Sequence, residues 1–302
     1  MDTKLFLDLV KKANKTVLGY KNRPKNNNKR PGGLIEFPKS VNPIIVGDLH
    51  GCHENLKAII HHENNMEEIK NGKSILIILG DALHNDQTGQ MKEMQSSLDT
   101  LDYLLKIMYN FPNGILYIRG NHDTFDDRLR KSGIAQGTEF KSFLLQNRNE
   151  ECVKEVEMFF QNLPMFIIGK NFVITHAGPV RNGITREEII NIENDENKYM
   201  QLLWNRLHEF RGNPSLKEYG EDDIKATLEK LNMPEDTHFI VGHNPLWNHG
   251  DGNGVWMNVL GIKNHHIIYS NFQTLAPYFV FNNNEIKVKY AIEPKEEAYF
   301  VR

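Results

Sequence analysis

Five short apolar runs constrain this chain most, because each stops at a side chain able to hold a metal ion or move a proton. Ile44-Ile45-Val46 runs into Gly47-Asp48-Leu49-His50-Gly51, and Ile75-Leu76-Ile77-Ile78-Leu79 runs into Gly80-Asp81. Gly114-Ile115-Leu116-Tyr117-Ile118 leads to Arg119-Gly120-Asn121-His122-Asp123. Phe172-Val173-Ile174 leads to Thr175-His176-Ala177-Gly178-Pro179, and Phe239-Ile240-Val241 to Gly242-His243-Asn244-Pro245. Continuous runs of this length read as buried strands. The stretches between the first three carry helical spacing, with Leu56, Ile59 and Ile60 inward over residues 53–66, then Leu98, Leu101, Leu104, Leu105 and Met108. Strands interleaved with helices imply a layered α/β core. In open α/β sheets ligands bind beyond the C-terminal strand ends, so the five polar ends are the candidate site.

The rest of the chain frames that core. Leu5, Phe6, Leu9, Val10, Ala13 and Val17 mark one face of a helix over residues 3–18. Residues 20–33, rich in Lys, Arg, Asn, Pro and Gly, read as a polar connector with breakers. Residues 124–150 show no clear period, while 152–163 spaces Val153, Val156, Phe159 and Phe160 as a helix. Further helical stretches run over 199–206 and 222–231, separated by a Gly/Pro/Ser loop near 211–215. The tail reads as strands at 266–269, 278–281 and 286–290, the last two forming a hairpin or meander about Asn282-Asn283-Asn284. The expected organisation is an N-terminal helical arm and polar linker over 1–33, then one catalytic domain over 34–302.

Composition narrows the partners. A net charge of -3 and a pI near 6.5 argue against a protein that holds nucleic acid by general electrostatics. No apolar run approaches the ~20 residues that span a bilayer. The N-terminus lacks the pattern of a signal peptide. With two cysteines, Cys52 and Cys152, no disulfide framework is implied, and a reducing cytoplasm is the expected compartment.

Asp48, His50, Asp81, Asn121, His176 and His243 offer mixed oxygen and nitrogen ligands, which suit Mn, Fe, Zn or Co better than a thiolate zinc site does. Six ligands are too many for one ion. Two ions ~3.5–4 Å apart, bridged by a carboxylate, serve in-line displacement at phosphorus.

The series Gly-Asp-Leu-His-Gly, Gly-Asp, Gly-Asn-His-Asp, Thr-His-Ala-Gly and Gly-His-Asn-Pro resembles the calcineurin-like metallophosphoesterase superfamily, in motif order over residues 43–272. The resemblance implies a sandwich of two mixed β-sheets flanked by helices, with two divalent or trivalent transition metal ions (Mn, Fe or Zn) at the C-terminal ends of the strands. Asp48 and His50 would hold the first ion and Asp81 would bridge both, while Asn121, His176 and His243 would complete the second. His122 would protonate the leaving oxygen while a metal-bridging hydroxide attacks phosphorus.

The Ser/Thr protein phosphatase-like branch and its bacterial relatives look closest. Many other branches end in Gly-His-x-His, where this chain has Pro245. Leu202-Leu203-Trp204-Asn205-Arg206 resembles that branch's Leu-Leu-Trp segment, so Arg206 is a phosphate-binding candidate; a guanidinium fork matches phosphate geometry. The segment 268–272 faintly resembles the family's late segment that closes over the site. One departure stands out. Where the branch reads Gly-Asp-x-Val-Asp-Arg-Gly, this chain has His84 and Asn85 in place of the Asp that orients the catalytic histidine and the Arg that clamps phosphate. Asp123 and Asp86 are substitute partners for His122, and His84 and Asn85 are candidate substrate contacts. The expected substrate is a phosphorylated molecule, a phosphoprotein or a nucleotide-type phosphoester such as a dinucleotide polyphosphate. The contrasting reading is a catalytically weak scaffold that kept the fold.

Overall fold

A computed structural model of the chain describes residues 1–210, 212–246, 250–271, 275–282 and 285–291. The order begins α1 (Thr3–Leu18), β1 (Leu34–Glu36), β2 (Asn42–Val46), α2 (His53–His61), α3 (Asn65–Lys70) and β3 (Ser74–Ile78). It continues α4 (Gln95–Asn110), β4 (Ile115–Tyr117), α5 (Gln136–Asn147), α6 (Glu150–Asn162), β5 (Phe166–Ile168), β6 (Phe172–Thr175) and α7 (Arg186–Ile190). Then come α8 (Glu196–Trp204), β7 (Arg206–Leu207), β8 (Glu218–Tyr219), α9 (Glu221–Lys230), β9 (His238–Val241) and β10 (Val255–Met257). The last elements are β11 (His265–Ile268), β12 (Ala276–Asn282) and β13 (Glu285–Ala291).

Two mixed sheets form the centre, as the sequence implied. One has the order β1-β5-β6-β9-β11-β10, the other β13-β12-β2-β3-β4; β7 and β8 make a separate pair. Alternation along each strand explains why they stack. Ile174, Ile240 and Ile268 of the first sheet point into the core shared with Ile45, Ile77 and Phe279 of the second. Their neighbours Val173, Phe239 and Ile267 point the other way, against Ile189, Leu202 and Leu228 of α7–α9. The helix α1 packs on α6 and α4 through Phe6, Val10 and Val17, which are fully buried. The connector after it is folded down, with Arg23 donating to the carbonyls of Val17, Gly32 and Asn162.

Several elements differ from the sequence reading. The helix expected over 53–66 breaks after His61, because Glu63 takes a positive φ of 48° and the helix restarts at Asn65. The helix expected to reach Arg206 stops at Trp204; Arg206 instead lies on β7, paired with Glu218. The aperiodic stretch 124–150 contains α5, whose buried residues Gln136, Gly137, Phe140 and Leu144 leave a weak apolar face. The hairpin of β12 and β13 forms in the register Asn282 to Glu285. Phe272, Asn283, Asn284, Arg211 and residues 292–302 lie outside the described residues.

β2, β3 and β4 run parallel in one sheet, and β6 and β9 run parallel in the other. Their C-terminal ends bring Asp48, Asp81, Asn121, His176 and His243 to one edge of the sandwich.

Candidate metal centre

Asp48, Asp81, Asn121, His176 and His243 are all buried, none more than 5 % exposed. They fall into two trios. Ligand atoms of Asp48, His50 and Asp81 lie within 4.8 Å of one another, and so do those of Asp81, His176 and His243. Asp81 belongs to both.

Backbone carbonyls orient two of the histidines. His176 Nδ1 donates to the Leu79 carbonyl at 2.7 Å, leaving Nε2 to face Asp81 Oδ2 at 3.4 Å and Asn121 Oδ1 at 2.9 Å. His50 Nδ1 meets the His84 carbonyl at 3.1 Å, leaving Nε2 3.7 Å from Asp48 Oδ2. Metal-binding histidines characteristically spend one ring nitrogen this way. His243 presents Nδ1 to Asn121 Oδ1 at 2.9 Å, while its Nε2 and Asn121 Nδ2 are buried without partners. Two buried carboxylates, three oriented imidazoles and a shared oxygen donor fit a pair of borderline-to-hard cations.

The loops carry strain at this edge. His50, Asp81, His84 and His243 all take positive φ, between 43° and 67°. Such conformations cost on the order of 1–3 kcal/mol each in non-glycine residues and collect at functional sites. Glycines allow the close approach. A Cβ on Gly242 would sit 2.3 Å from Asp48 Oδ1, and one on Gly120 would sit 2.1 Å from Asp81 Oδ1.

Burial and mutual charge set the protonation pattern. Burial pushes the Asp48 carboxyl up to about 7, against the pull of His176. Burial also opposes charge on Asp81, but His176 and His122 outweigh it and hold that carboxyl well below its usual range. His176, despite burial, is raised to about 9 by Asp81. A site that holds its carboxylates only by borrowing imidazolium charge is one that cations would complete.

His122 stands beside these groups without belonging to either trio. Its N–H donates to Asp81 Oδ1 at 2.8 Å, and its half-buried ring lies 5.6 Å from the His50 ring and 6.4 Å from Trp204. Desolvation pushes the ring down to about 3, with Asp81 pulling the other way. Asp123 holds the scaffold underneath. Its Oδ2 accepts from the N–H groups of Gly120 (2.8 Å) and Asp81 (3.2 Å), and its Oδ1 from the Tyr117 hydroxyl (2.5 Å).

His84 is fully buried, with its N–H on Ser97 Oγ and its ring 5.4 Å from Phe140 and 6.3 Å from His122. The Asn85 side chain bonds Gln90 and the Gln87 N–H. Asp86 accepts from the Tyr269 hydroxyl and from Asn271, and its Oδ2 lies 3.9 Å from His50 Nε2. Arg206 is exposed and donates to Asn244, next to His243, at 2.9 Å. The sequence reading gives Tyr117 no site role, because a buried tyrosine in a strand looks like core, and reaches Tyr269 only through the segment 268–272.

The sequence profile of the calcineurin-like phosphoesterases matches residues 42–279. No curated protein sequence matches the chain. A protein serine/threonine phosphatase structure from Saccharomyces cerevisiae, described as similar to human phosphatase PP5, is 16% identical with a TM-score of 0.68, covering 99% of this chain and 92% of that one. A cold-active protein-tyrosine phosphatase of a psychrophilic Shewanella species is 13% identical with a TM-score of 0.50, covering 86% of this chain and 82% of that one. At such identities the likeness is one of fold, while the profile covers well over half of the sequence. The chain belongs to the calcineurin-like phosphoesterase family.

Proposed function

We propose that this protein hydrolyses phosphomonoesters with two metal ions, Mn, Fe or Zn, as a phosphatase of the Ser/Thr protein phosphatase-like kind. The observation that supports this best is the pair of ligand trios sharing Asp81. In this reading Asp48 and His50 would hold one ion, Asn121, His176 and His243 the other, and Asp81 would serve both. When bound, the ions would supply Lewis acidity and an activated water. The chain does the rest. His122, anchored through its N–H to Asp81, gives a proton to the leaving oxygen; a phosphoryl dianion beside it favours the protonated ring. Asp123 keeps Gly120 and Asp81 in register and is a positioning residue. In this reading Arg206, which donates to Asn244 beside His243, receives phosphoryl oxygens, and His84 lies behind His122.

A groove of about 690 Å³ adjoins the site, lined by Trp204, Leu216, Arg128, Arg130, Arg206 and Lys217 among others. Apolar lining from Leu129, Met200, Trp204 and Leu216 beside these cations suits the chain around a phosphorylated side chain. Four cations in one groove also favour a second reading, a nucleotide or dinucleotide polyphosphate. No helix among the described residues is long and apolar enough to cross a membrane, and a cytoplasmic setting fits the two cysteines, which form no disulfide.

The test is turnover by metal-reconstituted protein on p-nitrophenyl phosphate, phosphopeptides and diadenosine tetraphosphate. Metal-dependent phosphate release is expected, with phosphopeptide preferred. Absence of turnover with Mn, Fe, Co, Zn and Ni would leave the scaffold reading.

A further inference from the structure

Lys131 comes up to Asp86, a neighbour of the ligand His50, from outside every strand-end motif. It opens a two-residue hairpin: its N–H donates to the Ile134 carbonyl at 3.0 Å, and the Ile134 N–H returns the bond at 2.9 Å. Ser132 and Gly133 between them take positive φ of 50° and 81°, the pattern of a turn with two left-handed central residues. Gln136 anchors the loop, donating to the carbonyls of Asn85 at 2.7 Å and Met91 at 3.0 Å. The hairpin is therefore tied to the segment that follows Asp81. From it, Lys131 Nζ comes within 3.6 Å of Asp86 Oδ2, which itself lies 3.9 Å from His50 Nε2.

Three observations set this apart from a surface ion pair. The Lys131 side chain is only 28 % exposed. Asp86 is already engaged by Tyr269 and Asn271. At 3.6 Å the ammonium is beyond ordinary hydrogen-bond range of it, and among the described residues Nζ donates no hydrogen bond. Meanwhile Asn85 brings no charge and turns its side chain to Gln90 and the Gln87 N–H.

We propose that Lys131 is a substrate-binding residue that donates to the phosphoryl oxygens, supplying the positive charge that Asn85 lacks. This rests on the phosphoester-hydrolysing reading of the site. A lysine ammonium is a compact charge with three donors on a flexible stem, and charge-assisted bonds to phosphate are among the strongest a side chain makes. The flexible stem lets it leave Asp86 when a dianion arrives.

The test compares wild type, Lys131→Met, Lys131→Gln and Lys131→Arg as full-length, manganese-reconstituted protein, with inorganic phosphate as the probe. Calorimetric phosphate affinity and product inhibition of p-nitrophenyl phosphate hydrolysis are read together with metal content. Lys131→Met is expected to bind phosphate roughly ten- to hundredfold more weakly, the range of one charge-assisted bond. KM should rise in step, kcat should change less, and metal content should stay at the wild-type level. Lys131→Arg should restore most of the affinity. If Lys131→Met loses metal or unfolds, Lys131→Gln decides the matter by the same measure. Unchanged phosphate affinity at full metal content would overturn the proposal. Wild-type protein that holds two ions yet neither binds phosphate nor hydrolyses the ester would instead overturn the reading of the site, and the role of Lys131 with it.

Discussion

Gly120 stands so close to Asp81 that a Cβ at its position would lie 2.1 Å from Asp81 Oδ1 and 2.5 Å from the Asp81 nitrogen. Real Cβ atoms do not approach that closely, so the carboxylate shared by both ligand trios fits only because residue 120 has no side chain. Gly120→Ala should therefore displace Asp81. Overpacking of this kind costs about 1–3 kcal/mol, and metal affinity should fall further than stability does. Metal content by elemental analysis, beside thermal unfolding, checks this; full metal content in Gly120→Ala would contradict it.

Sharing of Asp81 predicts an asymmetry in stoichiometry. Asp81→Asn should lose both ions, whereas His176→Ala should lose one and keep the other. Added manganese should raise the unfolding temperature of the wild type, since a ligand at a hundredfold excess over its Kd adds about 3 kcal/mol to the native state. Asp81→Asn should show a much smaller rise. Equal metal content in the two variants would argue against a shared ligand.

His122 and Asp123 are sequence neighbours with different expected roles. His122→Asn should lower kcat by roughly 10²–10⁴, the usual scale for losing a general acid, and leave metal content intact. A substrate whose leaving group needs no proton should be affected less. Tyr117→Phe, which removes the hydroxyl from Asp123, should act on stability first. Losing one hydrogen bond to a buried carboxylate costs about 1.5–3 kcal/mol, readable as a lower denaturation midpoint with metal content retained.

Away from the site, His265 provides a pH signature. Its Nδ1 donates to the Phe239 carbonyl at 3.1 Å and its Nε2 accepts from the Tyr219 hydroxyl at 3.0 Å, so the neutral ring is fully satisfied. Burial lowers its pKa from 6.5 to about 4, against a smaller raising effect of the Phe239 carbonyl. Between those values the unfolded chain binds the extra proton, so this contribution is fully present above pH 6.5 and lost as pH falls toward 4. At about 1.4 kcal/mol per unit, the full loss is about 3 kcal/mol. The stability gap between wild type and His265→Gln should narrow from pH 7 to pH 5 in denaturant titrations. A gap independent of pH would contradict it.

The strand ends were readable because each is a local pattern: three to five apolar residues, then a polar one close to glycine. Asp48, His50, Asp81, Asn121, His176 and His243 all met in space, since parallel strands joined by crossover connections deliver their C-terminal ends to one edge. The helix limits were read less well. Arg206 looked helical because Leu202 and Leu203 set the local period, but pairing with Glu218, twelve residues on, drew it into a strand.

By itself, then, the sequence determined the layered fold and the residue types available at the strand ends, which follow from short-range periodicity, and the family, which follows from the resemblance of its motif series. Only the tertiary structure decided that Asp123 holds the backbone beneath Asp81, whose place in both ligand sets the family resemblance had already implied. It also decided that Asp86 faces His50 and Tyr269, and that Lys131 arrives from a loop with no apolar period. These are contacts between elements 40 to 180 residues apart, settled by how two sheets stack and how loops close over their edge. No local pattern encodes where a flexible lysine on such a loop will point.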